Sequence, residues 1–299
     1  MQQNSQIRFL RTLLLGLALA CGLAPQLQAA PPTSPQAAFQ AALAKLPENL
    51  GQDAKLRLDL EALCTAYGPA IQGLEAKGPQ QVYLVMSDGS KILYDDGRVK
   101  SFAEKLANPD LEDMLSQAYP LGKPMAPPSP DHDPGRIRVE PFFQALYGTP
   151  AQVKGNLVPV SFAGSRASFN ANQGAAAALE RVGEALALLL AKHLGLRDYV
   201  LPLGGTFNRR QIAGTTRLSA HSWGIAIDLH RGKYWRWGGI LGPAELLALQ
   251  SAYPQEIVQA FEAQGFIWGG KWFHYDTMHF EYRPELVIKA RLQAKEGIK

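Results

Sequence analysis

Short stretches of the chain alternate between apolar and polar residues, which is typical of β-strands with one buried face. Residues 223–230 alternate in this way, and the very small side chains on their polar face leave room beside Asp228. Residues 278–282 alternate again, with His279 and Glu281 opposite the apolar side chains. Residues 82–86 and 91–94 flank an Asp-Gly pair, and this arrangement predicts a β-hairpin.

Other stretches carry the spacing of helices. Residues 37–67 show helical periodicity broken at Pro47 and Gly51, and residues 171–194 form an Ala- and Leu-rich run that ends at Gly195. Charged residues within the second run argue against a membrane span. Residues 243–252 and 254–264 each begin near a proline, which predicts two shorter helices. Cys64 lies on the apolar side of the first periodic stretch, so we expect a buried structural thiol.

The amino terminus has the composition of a secretory signal. Arg8 and Arg11 precede an apolar run at residues 12–19, and Leu27-Gln-Ala29 offers a small-residue cleavage site. We therefore expect residues 1–29 to be a signal peptide and the mature protein to be periplasmic or secreted. The alternative is a lipid anchor attached through Cys21, although the preceding residues fit a lipoprotein signal poorly.

Composition excludes several classes of partner for the mature chain. Without residues 1–29, 28 basic residues face 26 acidic ones, a formal charge of +2 against +4 for the full chain. Nothing in this balance indicates nucleic-acid binding. We expect no stable membrane span after signal removal. Only Cys64 would be left in the mature chain, so stability must come from a hydrophobic core rather than from a disulfide.

Proline content divides the rest of the chain. Six prolines lie between residues 119 and 135, and they disfavour regular structure. We expect a helix and hairpin region of unknown role at 30–119, a Pro-rich linker at 120–135 and a catalytic domain at 136–299. Within the linker, Asp131-His-Asp133 is interpreted as a solvated loop rather than as a metal site.

Candidate chemistry concentrates in two segments of the catalytic domain. Asp228 follows His221 by seven positions, and Asp276 precedes His279 by three. Two imidazoles and one carboxylate suit a divalent metal such as zinc, with a coordination position left open, and a spare carboxylate suits a general base. From the residues alone, a metal site and ordinary structural histidines both stay open. His132 and His193 are interpreted as incidental, whereas His230 and His274 stay ambiguous between substrate contact and structural roles.

At these residues the chain resembles a known family. Ser-x-His-x-x-Gly-x-Ala-x-Asp followed by Asp-x-x-His-Phe-Glu is similar to the zinc D-alanyl-D-alanine carboxypeptidases and L-alanyl-D-glutamate endopeptidases of the VanY type, a group that includes lysostaphin and the hedgehog amino-terminal domain. The resemblance covers residues 204–282. It implies an α+β fold, in which a small antiparallel sheet carries the zinc site and helices flank it, with an N-terminal α/β extension. It assigns one zinc to His221, Asp228 and His279, and the general base to Asp276.

An upstream stretch extends the resemblance to a possible substrate contact. Asn208-Arg-Arg210-Gln-Ile-Ala-Gly214 is similar to the family's Asn-x-Arg-x-Ile-x-Gly segment, which assigns Arg210 to a place near the metal. A guanidinium there pairs with a substrate carboxylate or with a developing oxyanion. The neighbouring Arg209 is the alternative.

Four further side chains are expected to contact substrate. They are Asn208, Ser219, Trp272 and Tyr275, and for the two aromatic residues core packing stays an equal alternative. The expected substrates are peptidoglycan stem peptides. Carboxypeptidase activity leads, with endopeptidase activity, another zinc hydrolase and a non-catalytic wall-binding module as alternatives.

Overall fold

The computed structural model describes residues 40, 43–44, 53–77, 81–230, 232, 236 and 241–297. All of them belong to one compact unit, which spans residues 32–299. The predicted signal peptide and Cys21 lie outside the described residues, as does most of the predicted helical stretch before residue 53. No helix among the described residues is long and apolar enough to cross a membrane.

The first part of the described chain is a helix followed by a three-stranded antiparallel sheet. Helix α1 (Ala54–Tyr67) begins where the Asp53 side chain accepts a hydrogen bond from the Leu56 amide at 3.0 Å, a normal N-cap. The sheet consists of β1 (Ile71–Lys77), β2 (Gln81–Met86) and β3 (Lys91–Leu93), in that order. The β2–β3 hairpin confirms the Asp-Gly prediction, whereas β1 was not predicted. Cys64 is fully buried, as its spacing indicated.

Two short helices and an irregular segment lead into the second half. The helices are α2 (Phe102–Ala107) and α3 (Leu111–Leu115). No helix or strand forms between residues 120 and 135, all of which are described. This segment is nevertheless packed against the second half, because the Trp272 indole donates to the Pro134 carbonyl at 2.8 Å and Asp133 is 1% exposed. The expected solvated loop at Asp131-His-Asp133 is therefore wrong for Asp133, whose buried carboxylate forms hydrogen bonds with His274.

The second half mixes helices with two small antiparallel sheets, and it confirms the expected α+β class. Its first elements are α4 (Glu140–Tyr147), the hairpin β4 (Leu157–Phe162) and β5 (Ser165–Asn170), α5 (Ala175–Lys192), α6 (Arg197–Val200) and β6 (Ala226–Asp228). Then follow α7 (Pro243–Ala252), α8 (Gln255–Ala263), β7 (Phe266–Trp268), β8 (His279–Tyr282) and α9 (Pro284–Glu296). The helices α5, α7 and α8 occur where the prolines and periodicity predicted them.

The sheet that contains Asp228 and His279 has the order β6-β8-β7. Its register places Asp228 opposite His279 and Ala226 opposite Glu281. The predicted strand over residues 223–230 is too long, because residues 220–223 form a 3₁₀ turn and only Ala226–Asp228 are extended. The turn satisfies its own main-chain groups locally, and it brings His221 toward the end of the sheet.

Helix α1 lies against helix α9, so the two ends of the described chain meet. The Tyr67 hydroxyl donates to the Glu285 carboxylate at 2.6 Å, and Lys289 pairs with Asp59. Apolar side chains from α1 and α9 belong to one continuous core. Residues far apart in sequence therefore support a single interior.

Candidate metal centre

The turn that carries His221 depends on the glycine that follows it. Gly224 ends the 3₁₀ turn with a φ of +67°, a left-handed conformation that favours glycine. A Cβ at this position would also lie 2.5 Å from the Leu157 side chain, which would have to move to admit a larger residue. The glycine in the motif is therefore needed to place His221 next to strand β6.

A second segment runs beside the turn and binds it through main-chain groups. Gly205 forms a β-bridge with Asp228, and the Asn208 amide donates to the His221 carbonyl at 3.2 Å. The Thr206 carbonyl lies 2.5 Å from His221 Nδ1, so it accepts the imidazole N–H. This contact fixes the ring orientation and turns Nε2 toward Asp228 and His279.

Three side chains converge at the end of the sheet. His221 Nε2 lies 3.2 Å from Asp228 Oδ1 and 3.2 Å from His279 Nδ1, and His279 Nδ1 lies 2.9 Å from Asp228 Oδ1. A tetrahedral zinc ion with bonds of about 2.0–2.1 Å places neighbouring ligand atoms roughly 3.3 Å apart. The two nitrogens and one oxygen therefore have the identity and the spacing of ligands to one zinc ion.

The opposite edge of His279 is held by a carboxylate. His279 Nε2 lies 3.0 Å from Glu281 Oε1, so the Nε2–H donates to Glu281 and Nδ1 is free to face the other two ligand atoms. Glu281 is fully buried, and its Oε1 also accepts from Arg138 Nη2. The sequence pattern placed Glu281 on the same face as His279, but nothing in it indicated Arg138.

The charges around the site favour a cation. Burial raises the pKa of the Asp228 carboxyl, but hydrogen bonds with His221 and His279 outweigh burial and hold that pKa well below its usual range. Burial also raises the pKa of Glu281, and the charges of Arg138 and His279 reverse that effect. Burial lowers the pKa of His279, yet hydrogen bonds with Asp228 and Glu281 raise it to about 10. Two ionised carboxylates thus flank the imidazole, and a bound metal would take the place of its proton.

Asp276 lies one turn before strand β8. The His279 amide donates to the Asp276 carbonyl at 3.3 Å, and the Asp276 amide donates to the Gly269 carbonyl at 3.0 Å. Its carboxylate does not belong to the converging group, and the residue is half-buried. Asp276 therefore lies outside the converging group, in the segment directly before strand β8.

Arg210 and Asn208 lie on the segment that borders His221. The Arg210 carbonyl accepts from the Ser219 amide at 3.1 Å, and the Arg210 amide donates to the Ser222 hydroxyl at 3.1 Å. Both Arg210 and Asn208 are exposed, and Arg210 forms no ion pair within the part of the chain that the structure describes. Its main chain is thus fixed while its guanidinium is accessible to a ligand. Ser219 is buried and caps the turn through its carbonyl.

The two aromatic residues proposed as substrate contacts are buried. Trp272 is 3% exposed, its ring lies 5.6 Å from the His279 ring, and the Arg136 guanidinium lies 5.2 Å from the indole. Tyr275 is 5% exposed. Trp272 therefore forms part of the wall behind His279, which is the packing alternative left open by the sequence.

His274 has a partner that the sequence did not reveal. Its Nδ1 lies 2.6 Å from Asp133 Oδ2, and its amide donates to Asp133 Oδ1 at 2.9 Å. The imidazole is 40% exposed. Among the described residues, neither His274 nor His230 joins the converging group. A carboxylate in a Pro-rich stretch gives no local signal of such a contact.

Other acidic clusters are already neutralised. Lys100 Nζ lies 2.8 Å from Asp96, 2.9 Å from Asp110 and 2.6 Å from Asp113. The ammonium thus occupies the position that a cation would take. The two further acidic groupings in this region are Asp95–Asp96–Asp110 and Asp110–Glu112–Asp113.

Comparison with known proteins assigns the same segment to a family. Residues 213–282 match the protein family described as D-alanyl-D-alanine carboxypeptidase. No curated protein and no solved structure gives a significant match to the chain. The matched segment contains all three converging side chains together with Asp276, whereas Arg210 and the N-terminal half lie outside it. Residues 213–282 are thus a domain of the D-alanyl-D-alanine carboxypeptidase family, as the motif predicted.

Proposed function

We propose that this protein is a zinc-dependent peptidase that cleaves the stem peptides of peptidoglycan, acting as a D-alanyl-D-alanine carboxypeptidase. The observation that carries the proposal is the convergence of His221 Nε2, Asp228 Oδ1 and His279 Nδ1 within the segment that matches the family. A signal-like amino terminus supports action in the periplasm or outside the cell, where peptidoglycan lies.

The residues around the site have separate tasks in this mechanism. His221, Asp228 and His279 would hold a zinc ion, which would supply Lewis acidity to the scissile carbonyl and to the attacking water. Asp276 accepts the proton of that water and returns it to the leaving amine. Arg210 pairs with an anionic group, which is either the terminal carboxylate of the substrate or the developing oxyanion.

Two alternatives differ in what they require. An endopeptidase cleaves an internal bond such as L-alanyl-D-glutamate and needs no free terminus. A non-catalytic wall-binding module needs no general base, so the presence of Asp276 supports an enzyme. The family description supports the carboxypeptidase over both.

The deciding experiment uses matched peptides. Zinc-loaded protein is incubated with a stem pentapeptide that ends in D-Ala-D-Ala and with the same peptide amidated at its terminus, and the products are identified by mass spectrometry. Release of D-Ala from the free peptide alone supports the carboxypeptidase. Equal cleavage of both peptides indicates the endopeptidase, and no cleavage of any stem peptide by the zinc-loaded protein contradicts the proposal.

The role of Arg210 can be separated from that of its neighbour. If Arg210 holds a terminal carboxylate, Arg210→Lys raises KM because the bidentate geometry is lost; if it serves the oxyanion, kcat falls while KM changes little. Arg209→Lys is the matched control, since Arg209 is also exposed. A larger effect at Arg209 than at Arg210 would show that the assignment is displaced by one residue.

A further inference from the structure

A buried arginine outside the family segment contacts the metal centre through one intermediate. Arg138 lies between the Pro-rich stretch and helix α4, and its side chain is 8% exposed. Its Nη2 donates to Glu281 Oε1, the same oxygen that accepts from His279 Nε2 at 3.0 Å. The contact joins residues 143 positions apart in the chain.

Glu281 has few other groups to hold it. Its second oxygen, Oε2, has no hydrogen-bond partner among the described residues. Arg283 is the other nearby cation, but its Nη1 lies 3.7 Å from Oε2. The Arg283 guanidinium is directed instead to Glu285 at 2.5 Å and to the Gly135 carbonyl at 2.8 Å. Apart from His279 itself, Arg138 therefore supplies the hydrogen bond that sets the position of the Glu281 carboxylate.

The position of Glu281 decides how His279 faces the metal centre. The imidazole has two nitrogens, and a hydrogen bond from Nε2–H to Glu281 leaves Nδ1 for the ligand group. Partners of this kind orient ligating histidines, and their loss typically weakens metal binding by about 10–100-fold. Without Arg138, the buried Glu281 carboxylate would also lose its hydrogen-bonded cation and keep only Arg283 at 3.7 Å.

We propose that Arg138 is a positioning residue for the metal centre, which holds Glu281 so that His279 presents Nδ1 to the ion. Arg138 contributes none of the converging atoms, and it acts through Glu281. The inference rests on the proposed zinc site and is independent of which peptide bond is cut. It gives the part of the chain before the family segment an indirect task in the site.

The test is a double-mutant comparison of zinc affinity, measured by competition with a chromophoric chelator. We expect Arg138→Met to weaken zinc binding by about 10–100-fold and Glu281→Gln to weaken it at least as much. Because both act on one contact, the double variant should bind zinc no more weakly than Glu281→Gln alone. Arg217→Gln is the matched control, since this half-buried arginine contacts the Arg136 carbonyl at 3.2 Å and not Glu281.

A spectroscopic measurement separates positioning from general stability. In zinc-loaded wild-type protein, ¹⁵N NMR of the histidine rings should show a protonated Nε2 on His279 with slow proton exchange, and in Arg138→Met that exchange should accelerate. Wild-type zinc affinity in Arg138→Met, or a double variant that shows the product of the two single losses, overturns the inference. If Arg138→Met does not fold, Arg138→Lys takes its place: weaker zinc binding than wild type supports the inference, and equal binding overturns it.

The failure of this inference is distinguishable from failure of the proposed function. If the wild-type protein binds no zinc, the proposed function itself is wrong. If the wild-type protein binds zinc and both Arg138 variants bind it equally well, only the role of Arg138 is wrong.

Discussion

The two histidines of the candidate metal centre are held in different ways. His221 is held by its own neighbourhood: the Thr206 carbonyl accepts its N–H, and the turn that carries it ends at Gly224. His279 is held by side chains, because Glu281 accepts its N–H and Arg138 holds Glu281 from a distant part of the chain. One ligand is positioned by the main chain and the other by buried charges.

This difference predicts how strongly substitutions of neighbouring side chains affect each histidine. A main-chain carbonyl cannot be removed by substitution, so the His221 side tolerates changes in neighbouring side chains provided that the turn is kept. The His279 side depends on ionised groups with little access to water, and loss of one partner leaves the other uncompensated. Side-chain substitutions outside the ligands should therefore affect the His279 side more than the His221 side.

The largest expected effect comes from removing either ligand. His221→Ala and His279→Ala should each lose zinc on dialysis, because a two-ligand site binds the ion far more weakly. Elemental analysis of the dialysed proteins measures this directly. His193→Ala, which alters an exposed histidine, should keep one zinc per chain. Full zinc content in either ligand variant would show that the metal is bound elsewhere.

Removing the proposed base should separate binding from turnover. Asp276→Asn should keep its zinc and lose activity by about 10²-fold or more, which is typical of a general base. Zinc content and peptide hydrolysis are measured on the same preparation. Loss of zinc would indicate that Asp276 is a ligand, and near-normal turnover would indicate another proton acceptor, of which His274 is the nearest in sequence.

The His279 side should also give the metal-free protein a specific pH dependence. The pKa of His279 is raised from 6.5 to about 10, because hydrogen bonds with Asp228 and Glu281 outweigh the effect of burial. Because the pKa of His279 is raised on folding, its protonation stabilises the folded protein fully below pH 6.5. This contribution to the free energy of unfolding is lost as the pH rises toward 10. The difference in unfolding free energy between chelator-treated wild type and His279→Gln should therefore shrink over that range. A difference that stays constant with pH would contradict the assigned hydrogen bonds.

A smaller effect is expected from the hydrogen bond between Tyr67 of helix α1 and buried Glu285. Tyr67→Phe removes the donor to Glu285 and should cost about 1–3 kcal/mol of stability, since a buried acceptor loses its partner. Tyr94→Phe is the matched control, because its hydroxyl donates to buried Asp59 at 2.8 Å without any contact to Glu285. Thermal unfolding should detect both losses, while zinc affinity should be unchanged in both variants. Weaker zinc binding in Tyr67→Phe alone would show that Tyr67 of α1 also helps to position His279.

The contrast between local contacts and long-range contacts also explains what the sequence could predict. Local patterns predicted the β2–β3 hairpin, the helices that start at prolines and the convergence of His221, Asp228 and His279, because each depends on residues close in sequence or on a motif. The Gly224 turn was missed because alternation alone cannot separate an extended strand from a tight turn that precedes it. The strand length over residues 223–230 was wrong for this reason.

Long-range contacts gave no such signal. Arg138 and Asp133 lie in or next to a stretch that resembles a linker, yet each is buried against the second half of the chain. Their partners, Glu281 and His274, lie more than 140 positions later. A single sequence shows that such charged residues exist but not which partners neutralise them, so this part of the site needed the structure.

The most direct test of the metal centre is a crystal structure of the zinc-loaded protein, with anomalous diffraction recorded at the zinc absorption edge. We expect one strong peak about 2.0–2.2 Å from His221 Nε2, Asp228 Oδ1 and His279 Nδ1, with Glu281 still bound to His279 Nε2. A peak elsewhere, or coordination through His279 Nε2, would contradict it.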